Sequence, residues 1–250
     1  MELLIIATSF LPIFLFLLVT MAFMYAAVGH GGASGYLAVL ALFSVEPSVM
    51  KSSALILNIF VSLISFAQYY RGGYFKWKLF LPFAVASIPA AYLGATVPLS
   101  GGIYKKVLGV CLSFPILRLA GFLGKETEET QELKWTYGLI IGAVIGFLSG
   151  MIGIGGGIIL SPVILLFHWA KMKETAAVSA LFILVNSISG LIALTSKGFT
   201  PNPEIYIWLV AAVIGGFAGA YLGSKKFNNN VLKYILAAVL LVASVKLILT

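Results

Sequence analysis

The chain has 250 residues, 61% of them hydrophobic and only 10% charged, with a mean hydropathy of +1.07. A soluble domain carries about 25% charged residues, so the composition excludes a water-soluble globular domain and places the chain in a lipid bilayer. The net charge of +8 does not point to nucleic acid, because the Lys and Arg residues fall in short loops and at helix ends, where they set membrane topology.

In chain order, Met1 leads straight into an apolar helix over 3–28, with no basic leader and no evident cleavage site, so this helix is expected to be retained. A glycine cluster breaks it at Gly29-His30-Gly31-Gly32, and a helix over 33–43 follows that is too short to cross a bilayer alone. Pro47 opens the next helix, to residue 70. A basic aromatic loop, Arg71 to Lys78, suits a headgroup surface. Crossings over 79–97 and 104–122 complete the first half. Residues 124–136 form the one strongly polar linker, rich in Glu.

The second half repeats the plan. A helix over 137–152 meets the cluster Gly153-Ile154-Gly155-Gly156-Gly157, and a short helix over 158–169 follows. A helix to residue 196, a Pro/Gly/Asn loop, and helices over 205–222 and 231–249 finish the chain. The match goes beyond hydropathy. Gly29-x-Gly31-Gly32 aligns with Gly153-x-Gly155-Gly156, Ser53-Ala54-Leu55 with Ser179-Ala180-Leu181, and Ala91-Tyr92-Leu93-Gly94 with Ala220-Tyr221-Leu222-Gly223. The order holds with only small gaps, as a duplication requires.

The expected fold is therefore an all-α polytopic membrane protein of two repeats, 1–123 and 137–250, around the 124–136 linker. Each repeat has five helical segments, one of them short. An odd number per half inverts the second half relative to the first. If all five cross, one side carries Lys51, Lys105, Lys106, Lys197 and Lys246, and the other the remaining Lys and Arg, eleven of the 16. If the short helices do not cross, the split is even. The positive-inside rule favours the biased count. It puts both termini outside and the linker in the cytoplasm, with re-entry of the short helices left open.

The glycine breaks are the candidate site. A helix start carries unpaired N–H groups and about half a positive charge, and glycine lets a ligand approach the backbone. Two such starts, one per half, suit an anion site in a transporter built from a duplicated unit. The expected shell is the backbone of Gly31, Gly32, Ala33 and Ser34 and of Gly155, Gly156, Gly157 and Ile158, with Ser34, Ser53, Asn58, Ser179 and Asn186 adding side chains. Asn58 and Asn186 could equally bond neighbouring helices. His30 stands where its repeat partner is Ile154. It is the one titratable group expected near the centre and a candidate for proton coupling. His168 is expected at an interface, and Lys51 could reach the surface by snorkelling. The stripes Gly215-x-x-x-Gly219-x-x-x-Gly223 and Ala86-x-x-x-Ala90-x-x-x-Gly94 are expected to pack helices. All eight acidic residues are Glu, none inside an apolar run, so no intramembrane carboxylate offers a proton or Na⁺ site.

The duplicated turns, with Gly153-Ile154-Gly155-Gly156-Gly157-Ile158-Ile159-Leu160-Ser161-Pro162 the more specific, resemble the sulfite exporter TauE/SafE family, also called the toluene-sulfonate uptake permeases. The resemblance covers nearly the whole chain. It implies a bacterial inner-membrane carrier of a small sulfur-containing anion such as sulfite, thiosulfate or an organosulfonate. His30 interrupts the first motif, so its role is not inherited from the family. The expected function is a secondary carrier, most simply an exporter, working by alternating access with no enzyme activity, cofactor or metal. An anion channel and a non-transporting scaffold are the alternatives. Gly32-Ala33-Ser34-Gly35 matches the Gly-x-Ser-Gly of rhomboid-type proteases, but such an enzyme needs a His from another helix to activate its serine, and the repeat pairs Ser34 with Ile158. Pairing of two copies into a homodimer is left open.

Overall fold

The computed structural model of the chain describes residues 6–119 and 130–225, together with 241, 244, 245, 248 and 249. Its helices are α1 (Leu11–Ala27), α2 (Ala33–Leu42), α3 (Pro47–Arg71), α4 (Trp77–Thr96), α5 (Gly101–Leu119), α6 (Trp135–Ile152), α7 (Gly157–Leu166), α8 (Met172–Thr195) and α9 (Ile205–Lys225), with no strand among the described residues. Most of the helix expected over 231–249, and residues 124–129 of the linker, lie outside the described residues. Among the described residues five helices (α3, α4, α6, α8 and α9) are long and apolar enough to span a membrane. Apolar side chains such as Val85, Val144, Val210 and Phe217 stand exposed on the outward surfaces of the layer. In water such a belt would be a liability; in hydrocarbon it is the ordinary finish of a polytopic protein.

Local chemistry accounts for most helix ends. Pro47 opens α3, and Pro12 confines the start of α1 to Leu11, later than the expected residue 3, because proline fits only a helix's first turn without breaking it. The Lys171 N–H ahead of α8 donates to Glu174 Oε2 at 2.9 Å. The Glu174 carboxylate also pairs with Lys76 at 2.8 Å, tying the start of α8 to the start of α4.

Contacts at the helix ends sort the chain onto two faces. On one lie the Lys76–Glu174 pair and Lys173, which donates to the Tyr74 hydroxyl (3.2 Å) and to the Ser224 carbonyl near the end of α9 (3.4 Å). There too, Tyr69 near the end of α3 donates to the Ala27 carbonyl at the end of α1 (3.0 Å). On the other face, Lys51 at the start of α3 donates to the Ala95 carbonyl of α4 (3.1 Å) and Lys197 beyond α8 to that of Thr96 (2.6 Å). Tyr104 of α5 donates there to the Ile152 carbonyl of α6 (2.8 Å). So α1 and α6, the first helices of the two halves, end at opposite faces, and α3 and α8 run antiparallel against each other.

The short helices do not turn back. Gly29 lies against Ala176, early in α8, and Gly31 against Asn58 and Ile183, in the middle of α3 and α8. From there α2 runs out to Phe43, whose ring meets Phe10 and Phe14 at the start of α1. The stretch thus traverses the layer, as irregular backbone to the centre and as helix from the centre out. The second half does the same in the opposite sense. Gly153 lies against Lys51, Gly155 against Asn58 and Ile183, and α7 runs out toward His168, whose carbonyl accepts the Gln131 N–H (2.8 Å). Crossing, rather than re-entry, is what the geometry supplies.

The halves are interlocked: α4 packs on α6, and α9 on α1. Gly142, Gly146 and Gly150 of α6 sit on the carbonyls of Phe83, Ser87 and Ala91 in α4, and Gly215, Gly219 and Gly223 of α9 on those of Val19, Phe23 and Ala27 in α1. A Cβ at any of them would collide with main chain. The α9 stripe packs as expected. On α4 the buried face is Phe83, Ser87, Ala91 and Gly94, a different register from the expected Ala86, Ala90 and Gly94, with Ala86 and Ala90 only half-buried. The α6 glycines, which stand out less in the sequence than the two clusters, choose that register by leaving room for α4's backbone.

Candidate functional site

Each break forms because the chain must leave one helix and start another in mid-layer, which needs left-handed backbone at several points. Gly29 (φ 79°), Gly32 (98°), Gly153 (90°), Gly155 (71°) and Gly156 (77°) provide it, where any other residue would be strained. The two turns match in hydrogen bonding. His30 N–H donates to the Tyr25 carbonyl (2.9 Å), and Ile154 N–H to the carbonyl of Ser149 (3.3 Å), its repeat partner.

The turns meet at Asn58 and Ile183. A Cβ on Gly31 would lie 2.6 Å from Asn58 Oδ1 and 2.9 Å from Ile183 Cγ2; one on Gly155 would lie 2.7 Å from Asn58 Nδ2 and 2.8 Å from Ile183 Cγ2. Asn58 is fully buried and bonds both turns. Its Oδ1 accepts the Ala33 N–H (2.9 Å), and its Nδ2 donates to the Ile154 carbonyl and to Ser187 Oγ, both at 3.4 Å. The Ala33 N–H, expected for the ligand, is thus already taken. The N–H groups of Gly31, Gly32, Ser34 and Gly35, and of Gly155, Gly156, Gly157 and Ile158, have no acceptor among the described residues.

A second polar chain joins the halves. His30 Nδ1 lies 3.0 Å from the Val28 carbonyl, which can only accept, so Nδ1 carries a proton. Nε2 lies 2.8 Å from Ser161 Oγ, itself 2.7 Å from Ser179 Oγ and 2.9 Å from the Gly157 carbonyl. With a neutral ring, Ser161 donates to Nε2. With a protonated ring, Nε2 donates and the Ser161 hydroxyl turns to the Gly157 carbonyl. Rotation of one hydroxyl accommodates either charge state. Ser65 also donates to the His30 carbonyl (3.4 Å).

The other expected residues divide. Ser179 joins the His30 chain, and Ser34 donates to the Tyr25 hydroxyl (2.8 Å). Gly32 is covered by the Tyr36 ring, whereas Gly156 faces Phe182, Ile145 and Ser149. Gly157 lies against Ile183, and Ile158 is buried beside it in α7. Ser53 is buried and makes no hydrogen bond to this group. Asn186 is buried with neither amide atom paired among the described residues. Reasoning from sequence passes over Ser149, Ser161, Ser187 and Tyr25. Ser161 stands in the second glycine motif, four residues after Gly157. Ser149 stands four residues before Gly153, the spacing of Tyr25 before Gly29, and that spacing is the available signal.

The arrangement offers two helix starts, clusters of unpaired N–H groups, hydroxyls and amides, and no carboxylate at the centre among the described residues. Comparison with known proteins agrees with a transporter. The family model described as Sulfite exporter TauE/SafE matches residues 13–247. The chain is 40% identical over 232 residues to Probable membrane transporter protein y4hK of Sinorhizobium fredii, covering 91% of this chain and 94% of that one. It is 27% identical over 217 residues to Probable membrane transporter protein YdhB of Bacillus subtilis, covering 84% and 86%. No solved structure gives a significant match. A helical membrane layer, two glycine turns meeting at its centre and a family match over nearly all of its length lead to one assignment: the chain belongs to the sulfite exporter TauE/SafE family of membrane transporters.

Proposed function

We propose that the protein is a secondary carrier that exports a small sulfur-containing anion (sulfite, thiosulfate or an organosulfonate) across a bacterial inner membrane. The observation that carries this reading is the meeting of two helix starts at mid-layer, each with unpaired N–H groups, around Asn58 and Ile183. Buried N–H donors without acceptors are costly, and an oxyanion or sulfonate supplies acceptors where the helix dipoles favour negative charge. The candidate backbone donors are the N–H groups of Gly31, Gly32, Ser34, Gly155, Gly156, Gly157 and Ile158; Ser179 adjoins Gly157, and Asn186 lies on α8, one helical turn beyond Phe182, which packs on Gly156.

The two halves act as inverted repeats, rocking about the α3–α8 contact to open the site to one face and then the other. The opposite endings of α1 and α6 and the antiparallel α3 and α8 support this. Export needs no bound cation, because an inside-negative potential drives an anion outward with about 2.3 kcal/mol per charge per 100 mV. His30 couples a proton where a gradient is used, with Ser161 as the hydroxyl that follows its charge.

The test is counterflow of radiolabelled sulfite, thiosulfate and a sulfonate in proteoliposomes, beside Gly156→Leu. Saturable exchange by the native protein and its loss in the variant are expected. A folded native protein that exchanges none of these anions refutes the reading, and unsaturable flux would favour a channel.

A further inference from the structure

We infer that the anion is held by the second glycine turn alone, with the Ser149 hydroxyl as one of its ligands, and that the first turn is a closed copy of it. This rests on the carrier reading above and goes beyond it by making the site one-sided. The two turns descend from one unit, so their differences are informative. Around the first, Tyr25 occupies the place of Ser149, Ser34 that of Ile158 and Tyr36 that of Leu160. These three residues fill it: Ser34 donates to the Tyr25 hydroxyl (2.8 Å), and the Tyr36 ring lies over Gly32. Asn58 takes the Ala33 N–H (2.9 Å) as well. The Tyr36 hydroxyl has no partner among the described residues, yet its ring occupies the space over the helix start that an anion would need.

At the second turn Phe182 and Ile145 lie against Gly156, but the places of Tyr25, Ser34 and Tyr36 hold Ser149, Ile158 and Leu160, so no hydroxyl pair and no tyrosine ring close the helix start. Four successive N–H groups, Gly155 to Ile158, have no acceptor among the described residues and stand at the start of a ten-residue helix. Beside them, Ser149 Cβ lies 3.2 Å from where a Cβ of Gly156 would be, and Ser149 Oγ is buried without a partner among the described residues. One helical turn beyond Phe182 along α8, Asn186 is buried with both amide atoms unpaired among the described residues. A hydroxyl and an amide N–H₂ are donors of the kind an oxyanion accepts from. Left unpaired they weaken the fold, and a bound anion removes that cost.

The experiment compares native protein with Ser149→Ala and Asn186→Leu. It measures thermal unfolding in detergent with and without sulfite or thiosulfate, and the KM of counterflow. Each variant deletes an unpaired buried group, so without anion it should unfold at the native temperature or above. The anion-induced rise in that temperature should shrink or vanish, and KM should rise about tenfold or more in Ser149→Ala. A group that serves packing would behave in the opposite way, lowering stability and leaving affinity alone. Unchanged affinity in both variants, or lowered stability of the anion-free variants, would overturn the inference. Native protein that responds to neither anion would instead bring down the carrier reading on which it rests.

Discussion

Asn58 shows how much of the centre depends on one side chain. It hydrogen-bonds both glycine turns, accepting from Ala33 and donating to the Ile154 carbonyl, and it donates to Ser187 as well. Asn58→Leu keeps the volume but leaves the Ala33 N–H buried and unpaired, at a cost of about 1–3 kcal/mol. A fall in unfolding temperature, measured in detergent, should accompany loss of exchange. His30 lends itself to a different test. His30→Gln retains a hydrogen-bonding group opposite Ser161 but cannot change charge. Counterflow, which needs no driving force, should persist in that variant, while any acceleration of flux by an imposed pH gradient should disappear. A gradient effect that survived would move the coupling group elsewhere.

At the scale of the elements, the glycines fall into two kinds with opposite predictions. Gly150 and Gly219 sit on the carbonyls of Ala91 and Phe23, where a Cβ meets main chain that cannot yield without parting two helices. Gly150→Ala and Gly219→Ala should therefore each destabilise by at least the roughly 1–3 kcal/mol typical of overpacking, seen as a lower unfolding temperature. Gly102, in α5, has open space within 4 Å of the point where a Cβ would stand, and no positive φ. Gly102→Ala should be neutral or stabilising by up to about 1 kcal/mol, the helix preference of Ala over Gly. The contrast separates packing from helix propensity, since the chemical change is the same in all three.

For the whole molecule, the two faces defined by Lys76–Glu174 and by Lys51–Lys197 correspond to the two sides of the membrane. Among the described residues the first carries the heavier share of Lys and Arg, so by the positive-inside rule it is the face expected in the cytoplasm. With Cys111, the one cysteine, replaced by Ala, single cysteines can report each face. Ser100→Cys should react with an impermeant maleimide on intact cells, and Lys78→Cys only after permeabilisation. The reverse pattern would turn the molecule over.

Much of this is legible in the sequence. Apolar runs identify helices because a backbone in hydrocarbon must satisfy its own hydrogen bonds. The two glycine clusters mark the breaks because only glycine takes left-handed backbone freely. The sequence by itself thus determined the membrane class, the location of both turns and, through their resemblance, the family. What it could not determine was anything that depends on which side chain fills a space. That Asn58 closes the first turn, that Ser161 links His30 to Ser179, and that Ser149 and Asn186 are left unpaired are matters of distance between residues on different helices. The register of α4 on α6, and the passage of the short helices through the layer, were decided the same way. Hydropathy reports only transfer from water to lipid and is nearly blind to such choices. They are settled by close packing and hydrogen-bond pairing, which exist only once the helices are assembled.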